Sequence, residues 1–546
     1  YTSFDRPGGS GGWQVKDVRG DLSAAERGKL VKRIATTADG PLRGHRYLTP
    51  QEVDQLPRRL VHGPVPDVGV AFWHTVPAGV DSSERPGNVF AHVLLDRTPE
   101  AGKPRRPSDL LHSPAWQRPF GADSVLAATL DEVPAPPWPA GPFDRARVRD
   151  FLVEKAIWRG ATLVGLLDAV SGAMRAGPMV ALGVEDPAQA EPWVAAVCHL
   201  MPPRTSVGFH FSTSERAGSV AAARTSGLHL VVLPVADLAE LEPDPDRLVL
   251  ISDESGAVEF TDVESGGEHV TTQGSRIPVT PWSSIAQVVL RDAAVAEWAL
   301  ATQDEIAAEA GDQRLPCDWP LAMAVLSRED LFEDALGAAR LALAGPVLAP
   351  GSRLERVRRA AWHHGMGSST ADALAAATGE ADGSRAFAVG VYLERAMGDR
   401  QWLVRAEGVP VPDCPPDDLD PGLPGRAQEL LEAMSVGPPP ARGPGAATDE
   451  EQTDAVVALR LLDLVVRAEL LDVRFGAPRT DSTIVGRMLD RFGPLLLDPL
   501  AGAELVERVG PLAAPTLAAF VRPWFDIHLE SASGRPLAVF GPQVGY

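Results

Sequence analysis

Alternating apolar and polar residues mark the first part of the chain as strand-rich. Residues 68–74 and 89–95 read as strands, the second preceded by a turn over Arg85-Pro86-Gly87-Asn88, and Trp13-Gln14-Val15 reads as a third. The pattern stops at residues 133–142, where five prolines lack the backbone donors that ladders and helices need. An N-terminal α+β domain is therefore expected over 1–142.

From Arg147 the apolar period changes. Leu152, Ile157, Leu163, Leu166, Leu167 and Val170 fall at helical spacing, which predicts one helix over 151–174 closed by Gly177-Pro178. A strand at 179–184, a helix at 188–200 and strands at 207–211, 228–233 and 248–251 follow, giving a middle α/β domain over 146–281. Beyond Trp282 amphipathic helices dominate (283–307, 320–326, 330–343, 352–364, 385–397), forming a helical domain over 283–408. Two proline-rich stretches, 409–424 and 437–445, flank a helix at 426–434 and read as a linker region over 409–447. Thr448 and Glu451 then make a capping box for a long helix to Val473. Helices at 483–492 and 502–509, closed by Gly493-Pro494 and Gly510-Pro511, complete a C-terminal helical domain over 448–546. The fold class is α+β and multidomain, with mixed α/β N-terminal and middle domains before a mainly helical C-terminal half.

Composition narrows the partners. The 546 residues are 45% hydrophobic and 23% charged, which excludes wholesale disorder, and the net charge is −22. So acidic a surface repels phosphate backbones and anionic lipid, so neither nucleic acid nor a membrane is expected as partner. Charge is uneven, however: residues 1–112 hold 16 Lys and Arg against 13 Asp and Glu, and the remainder holds 35 against 60. No uninterrupted apolar run reaches the roughly 18 residues of a span, since Arg340 and Gly345-Pro346 break the best one. Cys198, Cys317 and Cys414 stand far apart with no C-x-x-C, which fits a reducing cytoplasm. Because the chain starts with Tyr1 and stops at Gly545-Tyr546, the numbering is expected to describe a piece of something longer.

Searching for chemistry excludes more than it finds. Gly28-Lys29 resembles the end of a phosphate loop, but Ser23 stands where the first glycine belongs and Leu30 where Ser or Thr must hold magnesium. Asn88, the sole asparagine, precedes Val89, so no guanine-reading Asn-Lys-x-Asp exists. Lys29 is expected exposed on an early helix, and Pro7 to Trp13 reads as a turn feeding a strand rather than an anion nest. No G-x-S-x-G elbow occurs, and adjacent Cys198-His199 on a helix point about 100° apart. No cofactor is implied.

Histidines give the remaining candidates. Alternation places His92 on one face with Phe90 and Leu94, and His74 ends a strand beside Trp73. With Asn88 these make the one catalytic candidate, in the N-terminal domain; a buried His92 and a turn-forming Asn88 is the plainer reading. Residues 204–211 and 224–230 echo one another and suggest a hairpin in which His210 faces His229. Such a pair is a metal candidate lacking further ligands, since His269 sits in a glycine-rich acidic loop; solvated histidines on a wet sheet face is the plainer reading.

Four segments carry a resemblance. Tyr1-Thr2-Ser3-Phe4, Gly11-Gly12-Trp13-Gln14-Val15-Lys16, Arg85-Pro86-Gly87-Asn88-Val89-Phe90-Ala91-His92, and Leu200-Met201-Pro202-Pro203 leading to Phe209-His210-Phe211-Ser212-Thr213 resemble bacterial GTPase-associated protein 1. In that family N-terminal and middle domains precede a variable C-terminal region. The resemblance implies a non-catalytic cytoplasmic adaptor or scaffold, with protein partners that include a small or double-domain GTPase, in a bacterial conflict or regulatory system. It brings no catalytic residues. Two other classes stay open: an enzyme of unrecognised type using His74, Asn88 and His92, and a subunit of a homomeric assembly.

Overall fold

The computed structural model describes residues 1–5, 11–36, 48–81, 83–99, 105–130, 138–154, 159–254, 267–328, 331–343, 369–379, 382–405, 407–416, 419–420, 422–437, 448–471, 484–497, 499–510, 358, 512 and 516. The chain forms two compact units, Tyr1–Ala342 and Leu343–Tyr546. The glycine-rich residues 7–10, the prolines of 131–137 and 438–447, and almost all of the helix expected at 352–364 lie outside the described residues.

In the first unit, β1 (Thr2–Phe4) and β2 (Gly12–Gln14) pair antiparallel. Helix α1 (Ala24–Val31) opens on a Ser23/Glu26 capping box and exposes Lys29, and α2 (Pro50–Asp54) opens on a Thr49/Glu52 box with proline in its first turn. Strands β3 (Arg59–Val65), β4 (Gly69–Val80) and β5 (Pro86–Asp96) make an antiparallel meander. Helices α3 (Ala122–Ala127), α4 (Arg145–Leu152) and α5 (Gly160–Met174) follow. Then come β6 (Met179–Val184), α6 (Ala190–His199), α7 (Pro203–Ser206), β7 (Phe211–Ser212), α8 (Val220–Thr225), β8 (Leu230–Pro234) and β9 (Leu248–Ser252). A small hairpin, β10 (Glu268–Val270) with β11 (Arg276–Pro278), precedes α9 (Pro281–Val289), α10 (Ala293–Glu309), α11 (Trp319–Leu326) and α12 (Phe332–Leu343).

The strands before and after the proline-rich stretch share one nine-stranded sheet, in the order β2-β1-β5-β4-β3-β7-β8-β6-β9. Five strands are antiparallel and four parallel, and the seam lies where β3 meets β7, with Val61 opposite Ser212 and His62 opposite Phe211. Strand β6 is buried at all six positions, as a strand covered on both faces must be. One core crosses the seam beneath the sheet, joining Trp73 and Val61 to Val231, Ala181 and Leu250. The Trp73 indole N–H donates to Leu30 O at 3.0 Å and fixes α1 to this face. On the opposite face Phe4, Val76, Ala78, Phe90 and Val125 cluster.

Several local expectations are corrected. The helix expected over 151–174 is two, because α4 stops at Leu152 and Arg159 donates to Phe151 O at 2.6 Å. The helix expected over 283–307 is also two, because the Asp292 carboxylate accepts the N–H groups of Ala294 and Val295 and starts α10 afresh. The turn before β5 is built by Asp81, which accepts from the N–H groups of Ser83 and Arg85; Gly87 supplies the left-handed backbone (φ 91°), and Asn88 already lies in the strand. The expected hairpin at 204–230 is a parallel β7–β8 pair with α8 between.

Among the described residues the regular elements of the second unit are all helices: α13 (Thr370–Gly379), α14 (Asp382–Gly398), α15 (Arg400–Leu403), α16 (Leu423–Ser435), α17 (Asp449–Arg467), α18 (Ile484–Leu497) and α19 (Pro499–Val509). The Thr448/Glu451 box starts α17. Helix α18 runs through Pro494 instead of closing there, and its buried Met488, Phe492 and Leu495 keep one face in register across the proline. Inside the unit Arg460, 3% exposed, donates to Val509 O (3.1 Å), Arg508 O (2.9 Å) and Leu403 O (3.1 Å), so a buried cation caps helix C-termini. The stretch after 408 is tied down at its start, where Arg467 donates to Val409 O at 2.7 Å and the Tyr392 hydroxyl to Pro410 O at 2.6 Å.

Candidate functional site

Strand pairing sets His74 opposite His92. His74 is 2% exposed and stacked on Trp116 at 5.1 Å, with no hydrogen-bond partner on either ring nitrogen among the described residues. Burial, reinforced by His92, Arg58 and Arg118, holds its pKa well below 6.5. His92 meets the edge of the same indole at 5.2 Å, accepts the Gln117 N–H on Nδ1 at 3.2 Å, and is lowered to about 4 by burial. Asn88 turns away to β1: its Oδ1 accepts the Ser3 N–H (3.2 Å) and Thr2 hydroxyl (3.3 Å), and its Nδ2 donates to Ser3 O (3.1 Å). His74 and His92 are thus brought together without Asn88. Neither imidazole has a pKa matched to general-base work near neutral pH.

The second pair sits at the seam. His210 and His229 stack at 5.1 Å, and His62 lies 5.2 Å from His210. The His210 N–H donates to His229 Nδ1 at 3.1 Å, and the His62 ring donates to Phe209 O at 2.8 Å. Burial first, then the neighbouring imidazoles for His62 and His210, lowers His62 to about 4, His210 to about 2 and His229 to about 4. The structure thus brings the two rings together, half-buried just ahead of β7 and β8. The rings lie nearly parallel, 16° apart, so their nitrogens do not converge. Among the described residues no group of three His, Cys, Asp or Glu side chains is placed to hold a metal ion.

His269 is not in a loop. It lies fully buried in β10 with its Nε2 2.9 Å from the equally buried Asp168 of α5. The same carboxylate accepts the Thr280 N–H (3.0 Å), the Thr280 hydroxyl (2.5 Å) and the Ser283 hydroxyl (2.6 Å). Four donors spend the carboxylate on tying α5, β10 and the start of α9 together. Residue pattern alone placed Asp168 on a helix and gave no sign of partners about a hundred positions away.

A further junction explains one of the family-like segments. The carbonyls at the C-terminal end of α6 lack helical donors, and distant side chains supply them. Arg106 donates to Cys198 O (3.0 Å) and Met201 O (3.4 Å), Gln303 to His199 O (2.7 Å), and the Trp282 indole to Leu200 O (3.0 Å). Arg106 also pairs with Asp304. The Leu200-Met201-Pro202-Pro203 segment is thus where the end of α6 meets Arg106, from the segment that follows β5, and α9–α10. Cys198, on α6, is pushed up to about 12 by burial, as is Cys317, so neither is a thiolate at neutral pH.

These junctions coincide with matches to known families. Residues 1–136 match the N-terminal domain type 2 of GTPase-associated protein 1, residues 148–255 its middle domain, and residues 300–521 the TPR-like domain of SaeB. Over 95% of its length the chain is 37% and 38% identical to SaeB proteins of two Mycolicibacterium smegmatis strains, ATCC 700084 / mc(2)155 and MKD8, whose names propose an ESX-1 scaffolding and assembly role. It spans 59% of the length of each of these relatives. No solved structure matches it. In order along the chain, it is thus similar to the N-terminal and middle domains of GTPase-associated protein 1 and, behind them, to a SaeB-type TPR-like domain.

Proposed function

We propose that the chain is a cytoplasmic scaffold that gathers protein partners during ESX-1 assembly. The observation that carries this reading is the likeness to the two SaeB proteins across 95% of the chain. The geometry supports it, because the polar groups at its junctions, Asn88, Arg106 and Asp168, are spent on holding segments together. Among the described residues no helix is long and apolar enough to cross a membrane. The two GTPase-associated matches favour a second element: one partner is a GTPase, held by the N-terminal and middle domains.

The test is affinity purification of the tagged protein from its own cells after mild cross-linking, with rebinding in GDP and in a non-hydrolysable GTP analogue. Scaffolding predicts recovery of ESX-1 components, and nucleotide-dependent recovery of a GTPase supports the second element. Recovery of the protein alone with a bound small molecule would favour the enzyme reading, and recovery of copies of itself the homomeric one.

A further inference from the structure

His92 holds down the layer that covers its strand. The turn Leu110–Gln117 lies over the face of β4 and β5 that bears His74 and His92, with Trp116 stacked on His74 at 5.1 Å and edge-on to His92 at 5.2 Å. The turn is knitted to itself: the N–H groups of Ser113 and Trp116 donate to Leu110 O and Ser113 O, both at 3.2 Å, and the Trp116 indole N–H donates to Leu110 O at 2.6 Å. To the strands beneath, residues 110–117 make one hydrogen bond among the described residues, from the Gln117 N–H to His92 Nδ1 at 3.2 Å.

That bond fixes the protonation of the ring. A backbone N–H only donates, so Nδ1 is bare and the imidazole is neutral, with its proton on Nε2. A second proton enters at Nδ1 and sets two donors against each other where one bond now stands. The surroundings offer the new charge no partner. His74 faces the ring from β4, Trp116 and Gln117 from the turn, Trp138 from the segment beyond it, and the Tyr1 nitrogen from β1. His74 in turn lies in the field of Arg58, Arg118 and His112. The carboxylates at this corner are taken, Asp54 by Arg118 and Glu191 by His112, each at 2.8 Å. His92 itself is half-buried, so solvent protons reach it.

We propose that His92 is a proton-operated latch: neutral, it fastens the turn Leu110–Gln117 over the sheet, and in mild acid it releases the turn while the strands beneath stay paired. The strands stay because β4 is held on both sides by backbone ladders, and the core on its other face, around Val61 and Trp73, contains no histidine among the described residues. The same device recurs at the seam, where His229 Nδ1 accepts the His210 N–H at 3.1 Å. Opening bares Trp116 and the face of β4 and β5 under it. The latch is a property of the first unit and does not depend on the scaffold reading.

The test is amide hydrogen exchange of the whole chain, read by mass spectrometry at about pH 7 and about pH 5.5 and corrected for the intrinsic pH dependence of exchange. The latch predicts that opening of residues 110–117 rises about tenfold in the wild type, as expected for a ring lowered to about 4 when closed that returns to 6.5 when open. Exchange at Val61 in β3 should not change. His92→Asn puts an amide oxygen where Nδ1 was and cannot take a proton there, so its turn should stay closed at both pH values. His92→Leu lacks the acceptor, and its turn should be open at both. Three results overturn the latch: no rise in the wild type, an equal rise at Val61, or a His92→Asn turn that opens in acid as much as the wild type. If neither variant folds, the wild-type contrast between residues 110–117 and Val61 decides alone.

Discussion

Asn88 grips Ser3 from both sides, accepting its N–H at 3.2 Å and donating to its carbonyl at 3.1 Å. The side chain acts as a backbone surrogate, extending the β5 ladder to β1 where the register is irregular opposite Gly79. Two of the family-like segments, at residues 1–4 and 85–92, therefore meet in this one contact.

Asn88→Ala should cost about 2–4 kcal/mol, because it leaves both Ser3 backbone groups buried without a partner. Urea unfolding reads the loss, and amide exchange at Ser3 should rise more than at Val61 in β3. Equal changes at both positions would show that the contact does not act on β1 in particular.

The seam histidines predict acid lability. His62, 1% exposed, is lowered from 6.5 to about 4 by burial, so the folded chain prefers it neutral while the unfolded chain protonates it near 6.5. Stability is complete above pH 6.5 and is lost as pH falls toward 4, by about 3 kcal/mol for this residue. His210 and His229 shift the same way, and Arg314 and Arg33 further oppose charge on His210. Melting temperature should therefore fall steeply between pH 6.5 and 4.5, and less steeply in His62→Phe. A flat profile in the wild type would contradict this.

Arg106→Ala strips the cation that caps Cys198 O and Met201 O and pairs with Asp304. The expected loss is about 2–3 kcal/mol. Arg106→Lys should recover little, since one ammonium cannot reach all three partners in the guanidinium geometry. Thermal unfolding of both variants checks the pair; full rescue by lysine would mean that charge alone matters.

What the sequence showed depended on distance along the chain. The Thr448/Glu451 box was legible because its partners are three residues apart. The core strands β4 and β5 were legible from alternation. Strand β3 was not: Gly63 and Pro64 break its pattern, and it persists because β7 pairs only with Val61 and His62, leaving the Pro64 side of that edge without a ladder. The continuous sheet was hidden by the proline-rich stretch, which interrupts the sequence and not the packing. Among candidate residues, the His74–His92 and His210–His229 pairs were both found, the second through a hairpin that is absent. His62 and Asp168 were missed, since their partners lie 147 and 101 residues away.

The central claim is scaffolding, and exchange of segments tests it most directly. In Mycolicibacterium smegmatis the SaeB region matching this chain is replaced by the chain itself, and ESX-1 components are followed by native-gel sizing and co-purification on SaeB. A scaffold predicts that the chimera still gathers those components, and that a version lacking the chain-equivalent region does not. Loss of all components from a folded, expressed chimera, or their full retention without the region, would contradict the account.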